Sequence, residues 1–360
     1  SFKGEGITEF KALLFIPSAR PFGMWSTDFD HGLSLYIRNV FIMNDYKELI
    51  PQYLRFVRGV VDSEDLSLNI SREILQQNKT IKIINNALVR KILNTFEEML
   101  KNERDEYVKL WNNFGSVIKE GIFMDRKHSE KILDISLFAS TNDPEKLTSL
   151  EEYISRMNDD QDTIYYITGK NRKNIENSPH LEAFKEKNIE VLLLDENVDE
   201  VWVQYFTDHK DKKVQSVGKG EVNLKEEKAE VEEKSKEYKS LIEFIKKHLD
   251  EYLKDVRLSG RLTQSPACLV GDKSDMTPQL EQMLKATGQE IKAQKRILEL
   301  NPDHPVVIKM HDLFDKEPES QELKDYAEIL YGQAVLAEGG LLPDPGSFAK
   351  KLSELMIKVM

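Results

Sequence analysis

Leu54–Gln77 reads LRFVRGVVDSEDLSLNISREILQQ, an acidic, turn-prone loop that feeds directly into a helix start carrying an arginine. Ser71 is a good N-cap, and Glu73 lies in the first turn, where the helix dipole favours an anion. Ile74, Ile81, Ile84, Leu88, Ile92 and Phe96 then recur with helical period, so the spacing predicts a long, well-anchored helix from near Ser71. Arg72 stands at its mouth, on the end of the dipole that disfavours a cation, and therefore needs an anionic partner or solvent. A solvated arginine, a local ion pair and delivery of a cation to a group outside the domain all meet that need.

Working outward, short runs rich in Leu, Ile, Tyr, Phe and Val between Phe10 and Met43 are split by PSARPFGMWSTDFDHG and predict paired strands. Helices beginning near Ser71 and spanning about Glu103 to Phe114 complete a first α/β unit over 1–115. A helical connector over 116–150 leads to a second α/β unit over 151–222. In it IYYITG is a strand, Pro179 to Lys187 a helix and IEVLLLD a strand, a βαβ arrangement with a parallel pair. EVNLKEEKAEVEEKSKE from Glu221 marks a charged linker or connecting helix over 223–237. From Tyr238 to Met360 the pattern is mainly helical, with one strand-like stretch, ACLV at Ala267. The predicted fold class is thus a multidomain α+β or α/β chain, two α/β sandwich units joined by helices and followed by a mainly helical domain.

A formal net charge of −12 over 360 residues argues against non-specific nucleic-acid binding. Cys268 is the only cysteine, which fits a reducing, cytoplasmic setting and precludes an intrachain disulfide. The longest apolar runs are too short to span a bilayer, so no membrane partner is expected. The seven histidines, at 31, 128, 180, 209, 248, 304 and 311, lack metal-binding spacing, and no metal is expected. No GxxxxGK[ST] loop or dinucleotide fingerprint occurs, and no nucleophile with a paired base can be picked out, so the chain alone is read as binding no cofactor and as no enzyme. It opens on Ser1 and runs into strand-like sequence within a few residues, and is read as a fragment.

Several strings coexist: VVDSEDLSLNISREILQQ from Val60, IPSARPFGMW from Ile16, LYIRNVFIM from Leu35, SLEEYISRM from Ser149, IYYITG from Ile164, DVRLSGRLTQSPA from Asp255 and ELNPDHPVV from Glu299. Together they resemble the heat-shock protein 90 chaperones over nearly the whole chain, most closely those of the bacterial high-temperature protein G type. The resemblance implies a middle domain, ribosomal-protein-S5-like in fold, and a C-terminal dimerisation domain, lacking an N-terminal ATPase domain. It implies that Arg72 reaches the γ-phosphate of ATP bound by that domain and that Gln76 supports the same loop. ATP and Mg²⁺ would then be cofactors of the full-length protein. A phosphotransferase or ATPase with its own cryptic site, and a purely structural oligomer, are the competing classes.

Two further regions carry candidate surfaces. In DKSDMTPQLEQMLKATG, with capping candidates Ser274 and Asp275 and a stop at Gly288, residues Met276, Leu280, Met283 and Leu284 share one helix face. Such a stripe is either core or, because methionine adapts to many shapes, a binding surface. The resemblance implies contact with unfolded or partly folded client proteins there and, less directly, at Trp202. The last forty residues predict two helices broken by GGLLPDPG. One aligns Leu323, Tyr326, Leu330, Ala334 and Ala337, the other Phe348, Leu352, Leu355 and Val359. Two short helices make a thin core, and pairing with a second copy gives a four-helix bundle, the homodimer that the resemblance also implies. Other chaperones are possible partners. The chain ends KVM without an acidic EEVD-type tail, so tetratricopeptide cochaperones are not expected.

Overall fold

The computed structural model describes residues 1–4, 8–26, 29–66, 79–220, 228–292 and 294–359. The chain forms two compact units, residues 1–137 with 149–151, and residues 138–148 with 152–360.

The first unit is built on a five-stranded sheet of β1 (Phe2–Gly4), β2 (Phe10–Phe15), β3 (Leu33–Ile37), β4 (Val40–Tyr46) and β5 (Arg58–Ser63). The order is β1-β2-β5-β3-β4, with β3 and β5 parallel and the other neighbours antiparallel. Alternation along the strands buries Phe10, Ala12, Leu35 and Val61 on one face, while Leu13, Phe15 and Val60 are exposed on the other. Helix α1 (Lys79–Asn102) buries Ile81, Ile84, Leu88, Ile92 and Phe96, the predicted stripe, and packs against α2 (Arg104–Met124), which packs against α3 (Ser129–Asp134). The boundary expected near Gly115 lies inside α2. A Cβ there would sit 2.6 Å from the Trp111 ring, so this glycine serves close packing and not a break.

The second unit holds two sheets. β6 (Ala139–Ser140), β7 (Thr163–Thr168), β8 (Val191–Leu194), β9 (Asp208–His209) and β10 (Lys212–Ser216) run in the order β6-β8-β7-β10-β9. Helix α4 (Leu150–Arg156) precedes β7, and the path from β7 to β8 through α5 (Arg172–Glu176) and α6 (Glu182–Glu186) makes β7 and β8 parallel, the predicted βαβ unit. Tyr165, Phe184 and Leu193 belong to its core. After α7 (Asp199–Trp202) and the two strands that follow it, the charged stretch is described from residue 228, where it forms α8 (Lys228–Glu237).

From α9 (Lys239–His248) onward helices predominate, as expected, but the single strand-like stretch at Ala267 proves to be one of three strands. β11 (Leu253–Leu258), β12 (Ala267–Val270) and β13 (Arg296–Leu300) form a three-stranded sheet in the order β11-β13-β12, parallel on the first side and antiparallel on the second. β12 is the strand-like ACLV stretch read from the sequence; β13, buried at every position, shows no period-2 alternation and carries Arg296 and Glu299, so it does not read as a strand. α11 (Pro305–Lys316) and α12 (Gln321–Ala337) contribute to the core around this sheet, and α13 (Pro345–Val359) packs on α12.

Glu299, mid-β13, is the one acidic residue of that strand, 3% exposed. Arg257 of β11 donates to its Oε1 (2.7 Å), Arg261 to its Oε2 (2.9 Å) and the Ser259 hydroxyl to its Oε2 (2.9 Å). Burial raises this carboxyl, but Arg261 and Arg257 with their hydrogen bonds outweigh it and hold it below its ordinary value of 4.5. Its stabilisation is therefore present above about pH 4.5 and lost as pH falls through the lower folded value. Glu299→Gln strands a buried guanidinium and is expected to cost about 3–5 kcal/mol, measured by calorimetry at neutral pH, with the difference from wild type shrinking on acidification.

Candidate functional site

Arg72 and Gln76, together with Ser71, Glu73 and Ile74, lie outside the described residues. What the structure provides is their supports. β5 is paired on both sides, by β2 and β3, and Leu66 just beyond it is buried. Around it the chain is tied at several points. Arg38 donates its backbone N–H to Ser63 O (3.2 Å) and its Nε to Glu64 O (3.2 Å), and the Glu9 N–H donates to Asp65 Oδ2 (2.6 Å). Downstream, α1 is held by its apolar face and by Asn85 Nδ2 donating to Glu48 O (2.9 Å). The described elements that flank residues 67–78 are thus a central strand and a helix held by its buried face.

Trp202 is 1% exposed: its Nε1 donates to Asp199 Oδ1 (2.7 Å), and its ring lies 5.7 Å from that of Phe138. As folded it is a core residue, and its expected role as a client-contacting surface residue is corrected on that ground. Helix α10 (Pro278–Ala286) begins one turn later than Ser274 or Asp275 would place it, because Thr277 caps it by accepting from Leu280 N (3.1 Å) and Pro278 follows at the first position. Gly288, at φ +83°, follows its end as predicted. Met276, Leu280, Met283 and Leu284 are all half-buried. The buried residue of the helix is Glu281, 3.4 Å from Arg296. Its inner face is polar, which sequence periodicity did not reveal, and the apolar stripe is left partly open.

The C-terminal helices divide differently from the expectation. Leu323, Leu330 and Ala334 of α12, with Ala327, are buried in the chain's own core. They are satisfied within one copy, so they are not dimer-seam residues. Tyr326 is half-buried and donates its hydroxyl to Glu322 Oε1 (3.1 Å). Phe348 of α13 is seated on Gly332, where a Cβ would fall 2.5 Å from the ring. Lys351 bridges Asp325 (3.2 Å) and Glu328 of α12, and these contacts outweigh burial and raise its ammonium above the ordinary range. Leu355 is half-buried, and the Val359 side chain lies outside the described residues. Large apolar side chains left exposed at this end are Leu352 (38% exposed), Met356 (58%) and Ile357 (74%) on α13, and Leu336 (50%) and Leu341 (83%) on α12 and the turn after it. Met356 and Ile357 escaped the sequence reading because only one stripe per helix was followed.

A second apolar patch that sequence reasoning did not single out lies in the first unit. Phe22 is fully exposed and Trp25 54% exposed, the latter with the guanidinium of Arg55 5.2 Å and that of Arg20 5.9 Å from its ring. Among the described residues, no three His, Cys, Asp or Glu side chains are grouped to hold a metal ion, and no helix is long and apolar enough to cross a membrane.

Residues 1–360 match the family model described as Hsp90 protein. The chaperone protein HtpG of Nocardia farcinica is 47% identical over 371 residues, covering 99% of this chain and 57% of that relative. The HtpG of Frankia casuarinae is 48% identical over 364 residues (99% and 56%), and that of Mycobacterium avium 46% over 364 residues (100% and 56%). The chain spans a little over half the length of these curated relatives.

If α12 closes the core of its own chain, Leu330→Ala is expected to destabilise the second unit by about 2–5 kcal/mol in chemical denaturation. An unchanged midpoint would mean that this face is free.

Proposed function

The chain belongs to the Hsp90 family, and on that premise we propose that it is the client-handling and dimerising part of an ATP-driven molecular chaperone. The observation that carries this reading is the open apolar surface at the C-terminal end, Leu341, Leu352, Met356 and Ile357, on helices otherwise anchored by buried contacts. Large apolar side chains exposed together at one end of a chain suit an interaction surface. A second copy presenting the same face would cover it in an isologous pair. Burying such side chains contributes about 1.5–3 kcal/mol each before association costs.

Clients would meet the half-open stripe of Met276, Leu280, Met283 and Leu284 and, by our reading, the Phe22 and Trp25 patch. These offer large, adaptable apolar groups with polar surroundings, which suits weak binding to many unfolded sequences. Cytoplasmic residence fits the lone, buried Cys268. Other chaperones remain proposed partners through family membership alone.

Arg72, between β5 and α1 in the sequence, would contact ATP and Mg²⁺ held by a separate nucleotide-binding domain, with Gln76 supporting it. Its guanidinium would stabilise charge gathering on the transferring phosphoryl group. An arginine supplied this way is worth on the order of 10³–10⁵ in rate. Because the contact forms mainly in the closed and transition states, it should affect turnover far more than affinity.

The test is made in a chain that also carries the nucleotide-binding domain. Arg72→Ala is expected to cut ATP turnover sharply while leaving the Kd for ATP nearly unchanged. Normal turnover would overturn the role assigned to Arg72, and ATP hydrolysis by the 360 residues alone would favour a site of their own. Replacing Met276, Leu280 and Met283 with Ser is expected to weaken capture of an unfolded protein with the circular-dichroism melt retained. A collapsed melt would make the stripe core.

A further inference from the structure

The loop that presents Phe22 and Trp25 is clamped to the rest of the first unit at several points. Phe22 sits at the corner of the turn Pro21–Met24, where the Met24 N–H donates to Pro21 O (3.4 Å) and Gly23, at φ +75°, takes the left-handed position that glycine adopts without strain. Met24 itself is buried, 1% exposed. Arg55, 6% exposed, donates from Nε to Met24 O (3.1 Å), while its Nη1 and Nη2 fork onto the Glu120 carboxylate of α2 (2.5 and 2.9 Å). Arg20 ties the loop to α2 a second time, donating from Nε to Asn113 O (2.9 Å) and from Nη2 to Asn112 O (3.3 Å). The two exposed aromatic side chains therefore stand on a preorganised backbone, and a partner need not order the loop on binding.

Arg20 distinguishes this patch from a plain apolar one. Its guanidinium is exposed and lies 5.9 Å from the Trp25 ring. Unlike Arg55, it has no carboxylate partner among the described residues, and both its hydrogen bonds go to neutral carbonyls. The two Nη1 hydrogens and one on Nη2 remain unused there. Arg58 donates to Asp30 O (2.8 Å) and Arg55 O (3.4 Å), so the charged residues joined by these contacts are Arg20, Arg55 and Arg58 against Asp30 and Glu120, an excess of cation. A free fork of donors beside two aromatic side chains is the complement of a carboxylate beside an apolar group.

We propose that this loop is a docking site for an extended segment of a partner protein in which an acidic residue adjoins aromatic or aliphatic ones. The apolar side chains pack on Phe22 and Trp25, and the carboxylate meets Arg20. This site rests on the client-handling reading and adds to it a preference among clients.

Trp25 supplies the readout. The other tryptophans, Trp111 and Trp202, are buried, so acrylamide quenching of fluorescence in the 360-residue chain reports mainly Trp25. The probes are the blocked peptide Glu-Leu-Phe-Glu and its neutral counterpart Gln-Leu-Phe-Gln. The acidic peptide is expected to protect Trp25 saturably and to bind about five- to tenfold more tightly than the neutral one, an advantage that shrinks as salt is added. Arg20→Gln is expected to erase that difference while leaving the neutral peptide's affinity and the thermal melt unchanged. Phe22→Ser, at a fully exposed position, is expected to weaken both peptides. Equal affinity of the wild-type chain for the two peptides, or equal loss of both in Arg20→Gln, would overturn the proposal and leave the patch open to clients in general. Displacement of the acidic peptide by millimolar inorganic phosphate would overturn it by making Arg20 a simple anion site. No protection by either peptide would overturn it and remove the patch from the client-handling reading as well.

Discussion

The carboxylate of Glu299, buried in the middle strand of a three-stranded sheet, is the interaction on which the second unit depends. An unpaired charge at that depth would cost several kcal/mol. Here it is shared by Arg257 and Arg261. Arg261 then uses its remaining donors on the carbonyls of Val217 and Gly220 (2.7 Å to the latter), so one ion network fixes both the sheet and the chain that follows β10. Nearby, Glu182 accepts from the backbone N–H groups of Thr263, Gln264 and Ser265, a second carboxylate holding a loop by hydrogen bonds.

With the sheet fixed, α12 has one place to put its apolar face, and it covers β12 with Leu323, Ala327, Leu330 and Ala334. That leaves α13 anchored by Phe348 and Lys351 with its opposite side open. The division is physical: one helix pair both completes a core and presents a surface. In the first unit the elements described on either side of residues 67–78, β5 with the buried Leu66 and the helix α1, are both well supported.

How much of this was legible in the sequence follows from period and burial. The α1 stripe and the β7-to-β8 crossover were readable because each had its full period and clear punctuation. Of the C-terminal sheet only β12, the ACLV stretch, was readable; β13 lost alternation through burial at every position, and Glu299 and Arg257 put charges in strands of the sheet. The α12 stripe was correctly found, but periodicity says that a face is covered and not by what. Trp202 illustrates the same limit, since its partner Asp199 is one helical turn away and equally consistent with a surface or a core. Arg72 and Gln76 were identified by resemblance alone, as propensity left several fates open for an arginine at a helix mouth.

The open face of α13 is where the chaperone reading meets a single observable, and sedimentation equilibrium of the 360-residue chain at micromolar concentration measures it. The wild-type chain is expected to be a dimer, and Leu352, Met356 and Ile357 changed together to Asp are expected to give a folded monomer, because charges buried in an apolar seam without partners oppose association. A wild-type monomer, or a triple variant that stays dimeric with unchanged affinity, would contradict it and place any contact between copies elsewhere.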